Sequence, residues 1–217
     1  MYGSVSNDLP TFRHREVVVT HDAVTDRAAT LPAFVASPLR AHYLWVAALA
    51  LAAMIAAILW GSDWLLNFIH VLAGGLWTGI DLFMGFVIGP ILRRLPIEAR
   101  RAMISALVPR TLILMPTLSI VTSTAGWFLA ERMGFLGASY PAFYWVIAAL
   151  VIVTILTVQG LGYLLPVNLR IYFEIQKPHP DGDKIGRWMH TYVRVVGVQG
   201  VMQVAIIVVM ARFATGL

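Results

Sequence analysis

The sequence predicts an all-α integral membrane protein, a bundle of five transmembrane helices. Three observations carry this. Hydrophobic residues make up 59% of the chain and charged residues 12%, against roughly 25% charged in soluble domains. Five apolar stretches each come near or exceed the ~20 residues that a helix needs to cross hydrocarbon. Lys and Arg also gather in alternate connections, as topology in a bilayer requires.

Residues 1–40 are polar, mixed in charge and broken by Pro10, Pro32 and Pro38. They lack the short apolar core and small-residue cleavage site of a signal peptide, and read as a retained cytoplasmic tail, partly disordered. Residues 41–217 form the transmembrane domain, with spans at about 42–60, 64–92, 107–130, 141–166 and 190–213. An odd number of spans puts the termini on opposite sides. With the N-terminus inside, the inner regions hold Arg13, Arg15, Arg27 and Arg40, then Arg93, Arg94, Arg100, Arg101 and Arg110, then Arg170, Lys177, Lys184, Arg187 and Arg194. Only Arg132 and Arg212 remain outside, so the positive-inside rule sets the N-terminus in the cytoplasm and the C-terminus outside. A bacterial inner membrane is the expected setting. Trp60, Trp64 and Trp127 fall at outer span ends and Trp188 near the inner surface, where amphipathic rings lie.

Topology accounts for the formal charge of +5, so no nucleic-acid partner is expected. The absence of cysteine excludes disulfides, iron–sulfur clusters and covalent haem attachment through Cys. Phosphate-loop and hydrolase motifs are also missing. In the second span, Gly75-x-x-x-Gly79 and Gly85-x-x-x-Gly89 are of the kind that lets a neighbouring helix approach closely, placing this span at the centre of the bundle. Pro116 and Pro166 are expected to kink the third and fourth spans. A long inner loop is expected over about 171–189.

The second span also carries the chemistry. His70, Gly74, Trp77 and Asp81 are spaced four, three and four apart, so they form one stripe along a helix face. Ionisable residues in hydrocarbon are costly, so the stripe must face protein. His70 is the only histidine well inside a predicted span. A neutral imidazole there suits haem iron or copper, or else hydrogen-bonds a neighbouring helix. Asp81 lies ~16 Å deeper at 1.5 Å per residue, near mid-membrane. It is expected to be protonated, hydrogen-bonded or paired, with Arg110, Gln159, Gln199 and Gln203 as candidate partners. Asp81 and Arg110 then either move protons toward a redox site or clasp helices together. Polar residues in the inner halves of the fourth and fifth spans suit a quinone headgroup, a porphyrin or a cytoplasmic ligand, and equally suit anchoring of the connections at the inner interface.

The run His70-Val-Leu-Ala-Gly-Gly-Leu-Trp77-Thr-Gly79 resembles a helix of a loose group of membrane proteins. The group includes the HemJ type of protoporphyrinogen oxidase, the CopD copper-resistance proteins and the membrane domain of PuuD-type urate oxidases. The similarity extends through Arg93, Arg94 and Arg101 to Pro109, Arg110, Pro116 and Gly126, about a third of the chain. It implies that His70 ligates a b-type haem. Methionine, Met54 or Met210, is then the internal candidate for the second axial position, an arrangement known in cytochromes. Trp77, Arg132 and Arg212 are candidates for cofactor contact, the two arginines at haem propionates. The expected function is electron transfer or oxidation of a lipophilic reductant, within a larger respiratory complex with other membrane subunits. The alternatives are a non-catalytic accessory or assembly subunit and, third, copper transport.

Overall fold

The computed structural model describes residues 41–215, with side chains from Tyr43 onward; the tail 1–40 lies outside the described residues. Five helices are long and apolar enough to cross a membrane, at Tyr43–Trp60, Asp63–Arg94, Ile97–Arg132, Ala142–Ile175 and Gly182–Ala214. Among the described residues there is no strand. Side chains such as Trp45, Leu49, Val71, Val151, Val158, Val204 and Val208 are exposed on the outside, while Asp81, Asn168, Gln199 and Gln203 are buried. That inversion is the one a hydrocarbon solvent selects.

The connections stop the helices for local reasons. Ser62 opens the second span, its Oγ accepting from the Leu65 N–H at 3.3 Å, and Asp63 in the first turn complements the positive helix end. Leu95 precedes Pro96 and is forced into an extended conformation, which separates the second and third spans. Arg100 folds back over this corner, donating from Nε to the Leu92 carbonyl at 2.8 Å and from a terminal nitrogen to Arg93 and Leu95 carbonyls. It thereby satisfies carbonyls that the helix end leaves open. Gly134, at φ 73°, ends the third span in the left-handed region that only glycine enters freely. Asp181 caps the fifth, accepting from the Lys184 N–H at 3.0 Å.

Three helices extend beyond the apolar runs that mark their spans. The third span starts ten residues before the apolar run, at Ile97, the fourth continues to Ile175, and the fifth starts at Gly182. The long loop expected over about 171–189 therefore shrinks to residues 176–181. Glu174 receives Lys177 at 2.8 Å and Lys184 at 3.3 Å, pinning the two helix ends across this short link.

Two π-helical segments interrupt the spans, at Phe83–Ile88 and Gly160–Leu164. In each, a proline follows two residues later, Pro90 and Pro166, and removes a backbone donor. The ladder then shifts by one: the Gly89 N–H reaches the Met84 carbonyl and the Leu165 N–H the Gly160 carbonyl. Pro109 and Pro116, by contrast, lie inside one continuous helix.

Spans two, three, four and five pack in a ring, each against the next, and the fifth closes back on the second. The first span lies outside this ring, against the third and second. The centre is thus the space within the ring rather than any one helix. Gly85 and Gly89 carry the contact with the fifth span: a Cβ on Gly85 would come 2.7 Å from the Gly197 Cα, and one on Gly89 would strike a Val193 methyl. Gly75 and Gly79, expected to do the same, are exposed and would meet nothing within 4 Å. Two apolar clusters fill the bundle. One, toward Trp64, contains Met54, Leu66, Ala73, Trp77, Val121 and Ala125. The other, toward Arg93, contains Leu92, Ile104, Ile171, Met189, Tyr192 and Val196.

Candidate functional site

Between those clusters lies a polar layer built by all four ring helices. Asp81, near the middle of the second span, is 2% exposed and accepts a hydrogen bond from Gln199 Nε2 of the fifth span at 2.8 Å. Of the four candidate partners, this is the one that bonds. Gln203 and Trp77 also turn toward the same carboxylate, although the Gln203 amide stands outside hydrogen-bond geometry, with both its nitrogen and its oxygen unpartnered. The Gln199 Oε1 is buried and unpartnered as well. Toward the Arg93 end, Asn168 Nδ2 of the fourth span donates to Thr111 Oγ1 of the third at 3.2 Å.

A cavity of about 30 Å³ opens beside this layer. Asp81, Thr111, Ser119, Asn168, Tyr192 and Gln199 supply its polar wall, and Gly160 of the fourth-span π segment borders it. The volume accommodates about one or two water molecules. Glycine at 160 keeps the wall thin, since a Cβ there would lie 3.9 Å from the Gln199 Oε1.

His70 sits about three turns away, toward the Trp64 end, and faces the third span. Its Nδ1 lies 2.9 Å from the Thr122 carbonyl. A carbonyl only accepts, so Nδ1 carries the proton and the lone pair falls on Nε2, which has no hydrogen-bond partner among the described residues. The half-buried ring rests over Gly126, where a Cβ would stand 2.6 Å from Cε1 and 2.8 Å from Nδ1. Gly74 completes the approach, its missing Cβ leaving room for the Thr122 methyl. The stripe from His70 to Asp81 thus faces protein, as its spacing predicts.

The other predicted residues are dispersed. Arg110 is exposed and donates to the Ala106 carbonyl of its own helix, so the expected Asp81–Arg110 pairing is not formed; the guanidinium turns back along its own helix and away from the ring. Gln159 donates to the Val195 carbonyl at 3.0 Å and not to Asp81. Arg132 pairs with Asp63 at 3.2 Å and donates to the Gly61 and Ile58 carbonyls, holding the first connection in place. Arg212 is exposed in the last turn of the fifth span. Met54 is buried in the cluster toward Trp64, and Met210 is partly buried. Among the described residues, no three His, Asp or Glu side chains converge to hold a metal ion.

Thr111, Ser119 and Tyr192 in the polar layer, and Thr122 beside His70, were not singled out by sequence. Hydroxyls at three- and four-residue spacing usually bond back to their own helix, as Thr111 and Thr117 also do here. The one usable signal was Pro116, a helix-interior proline flanked by Thr111, Thr117 and Ser119. No family model, characterised protein or solved structure compared with the chain matches it.

Proposed function

We propose that the chain is a multi-pass protein of a bacterial inner membrane, N-terminus inside, that carries a b-type haem on His70 and serves electron transfer or oxidation of a lipophilic reductant such as a quinol or porphyrin. The observation that supports this is the Nδ1 bond to the Thr122 carbonyl. A carbonyl that accepts from the far ring nitrogen fixes tautomer and ring orientation in metal-ligating histidines, and here it leaves Nε2 as the donor. The donor set fits one axial position. Met54 already serves as core, so the second position falls to Met210, to another subunit or to an open site. Bound there, haem would supply one-electron chemistry. The chain's own part is to orient His70 through Thr122 and Gly126.

Visible spectra and pyridine haemochrome analysis of the detergent-purified chain test the reading. A b-type α-band in the parent protein that is lost in His70→Ala supports it. A featureless spectrum from well-folded parent protein overturns it.

One observation favours a second reading. The His70 ring fills the notch over Gly126 and ties two spans together, which is also what a helix clasp in a non-catalytic subunit does. Such a subunit is colourless and co-purifies with partner chains.

A further inference from the structure

We infer that the polar layer around Asp81 is a binding site for a single small monovalent cation, sodium by its chemistry. The site is independent of His70 and of any haem.

Charge comes first. Asp81 is 2% exposed and takes part in no ion pair among the described residues, while Arg110 points away. A carboxylate in such a place is neutralised by a proton or stabilised by hydrogen bonds and a positive charge. The ring leaves space for one, in the 30 Å³ cavity that Asp81 itself borders.

The ligand chemistry comes second. The polar wall is oxygen-rich, with one carboxylate, the Ser119 and Thr111 hydroxyls and the Gln199 amide. Hard cations choose oxygen donors. Gln199 spends its Nε2 on Asp81, which leaves its Oε1 fully buried and without a hydrogen-bond partner among the described residues. A buried acceptor without a donor is costly, and a bound cation is one partner that satisfies it.

The number of carboxylates then selects the ion. One acid balances one positive charge, and the described residues bring no further acid to the cavity. Divalent ions are therefore disfavoured. The neighbouring glycines, Gly85 against Gly197 and Gly200 against Leu82, lock the second and fifth spans so that Asp81 and Gln199 are held in place before any ion arrives.

The test is binding of ²²Na⁺ to the detergent-purified full chain, with choline replacing sodium at constant ionic strength. Saturable binding of about one ion per chain is expected, abolished in Asp81→Asn. Ser119→Ala, a mild change, removes one neutral oxygen and is expected to weaken binding about fivefold; Gln199→Leu is expected to weaken it further. Absence of saturable binding to well-folded parent protein overturns the proposal, and marks proton neutralisation of Asp81 instead. Binding that survives unchanged in both Ser119→Ala and Gln199→Leu also overturns it, because the ion then sits elsewhere. Should Asp81→Asn fail to fold, these two variants decide the matter.

Discussion

Gly85 and Gly197 touch each other, yet replacing them with alanine is expected to have opposite effects. A Cβ on Gly85 would stand 2.7 Å from the Gly197 Cα and 3.1 Å from its nitrogen. Both are backbone atoms that cannot rotate away, so the second and fifth spans must separate. Overpacking of this kind costs about 1–3 kcal/mol. Separation also strains the Asp81–Gln199 bond of 2.8 Å, a charge-assisted contact worth about 1.5–3 kcal/mol when intact. Alanine's better helix propensity returns at most about 1 kcal/mol. With that bond broken, Gly85→Ala is therefore expected to lose about 1.5–5 kcal/mol. A Cβ on Gly197, in contrast, meets the Gly85 Cα at 4.0 Å, an ordinary van der Waals contact. Gly197→Ala is expected to be neutral, or to gain up to about 1 kcal/mol. Reversible unfolding in mixed SDS and mild-detergent micelles, followed by circular dichroism, measures both. Equal losses in the two variants, or an unchanged Gly85→Ala, would refute the geometry of this contact.

Gly126→Ala pushes the His70 ring off Thr122; the lost hydrogen bond, about 1 kcal/mol, is offset by alanine's helix preference of similar size. Stability should hardly change while haem content falls, and unchanged haem in a thermal and Soret comparison would count against His70 as the ligand. Thr111→Val strands the Asn168 amide and is expected to cost about 1 kcal/mol, with a Thr111→Val/Asn168→Leu pair recovering roughly 0.6 kcal/mol of it; strict additivity in the double-mutant cycle would deny the bond. For orientation, a cysteine at Ser139 should react with an impermeant maleimide added to intact cells and one at Gln176 should not; the reverse pattern would invert the topology.

The five spans were legible because length and hydropathy report transfer to lipid directly. Span ends were not, since helices run on past hydrocarbon as amphipathic turns: Glu98–Arg101 and Lys184–Arg187 are helical though polar. The His70–Asp81 stripe was readable from spacing alone, because buried charge has few tolerable faces. Which glycines pack was not. Gly75-x-x-x-Gly79 and Gly85-x-x-x-Gly89 look alike in sequence, yet only the second pair meets a neighbour, a property of the partner helix. Arg100 read as topological charge and proved to cap a helix end. Arg110 read as a partner for Asp81 on depth alone, without knowledge of which way its face turns. The π segments depend on how a proline's lost donor is redistributed, which two residues of context do not determine.

Asp81 and the Gln199 that bonds it are separated by 118 positions in the chain. At about 5–20 residues per second of synthesis, the ribosome takes roughly 6–24 s to reach the partner after the aspartate has emerged. For that interval the second span must stay in the membrane with its acid uncovered, held by its own hydropathy against a penalty of about 2.5–3.5 kcal/mol for aspartate at a helix centre. A nascent chain halted before the fifth span leaves an open ring with the acid uncovered in its wall.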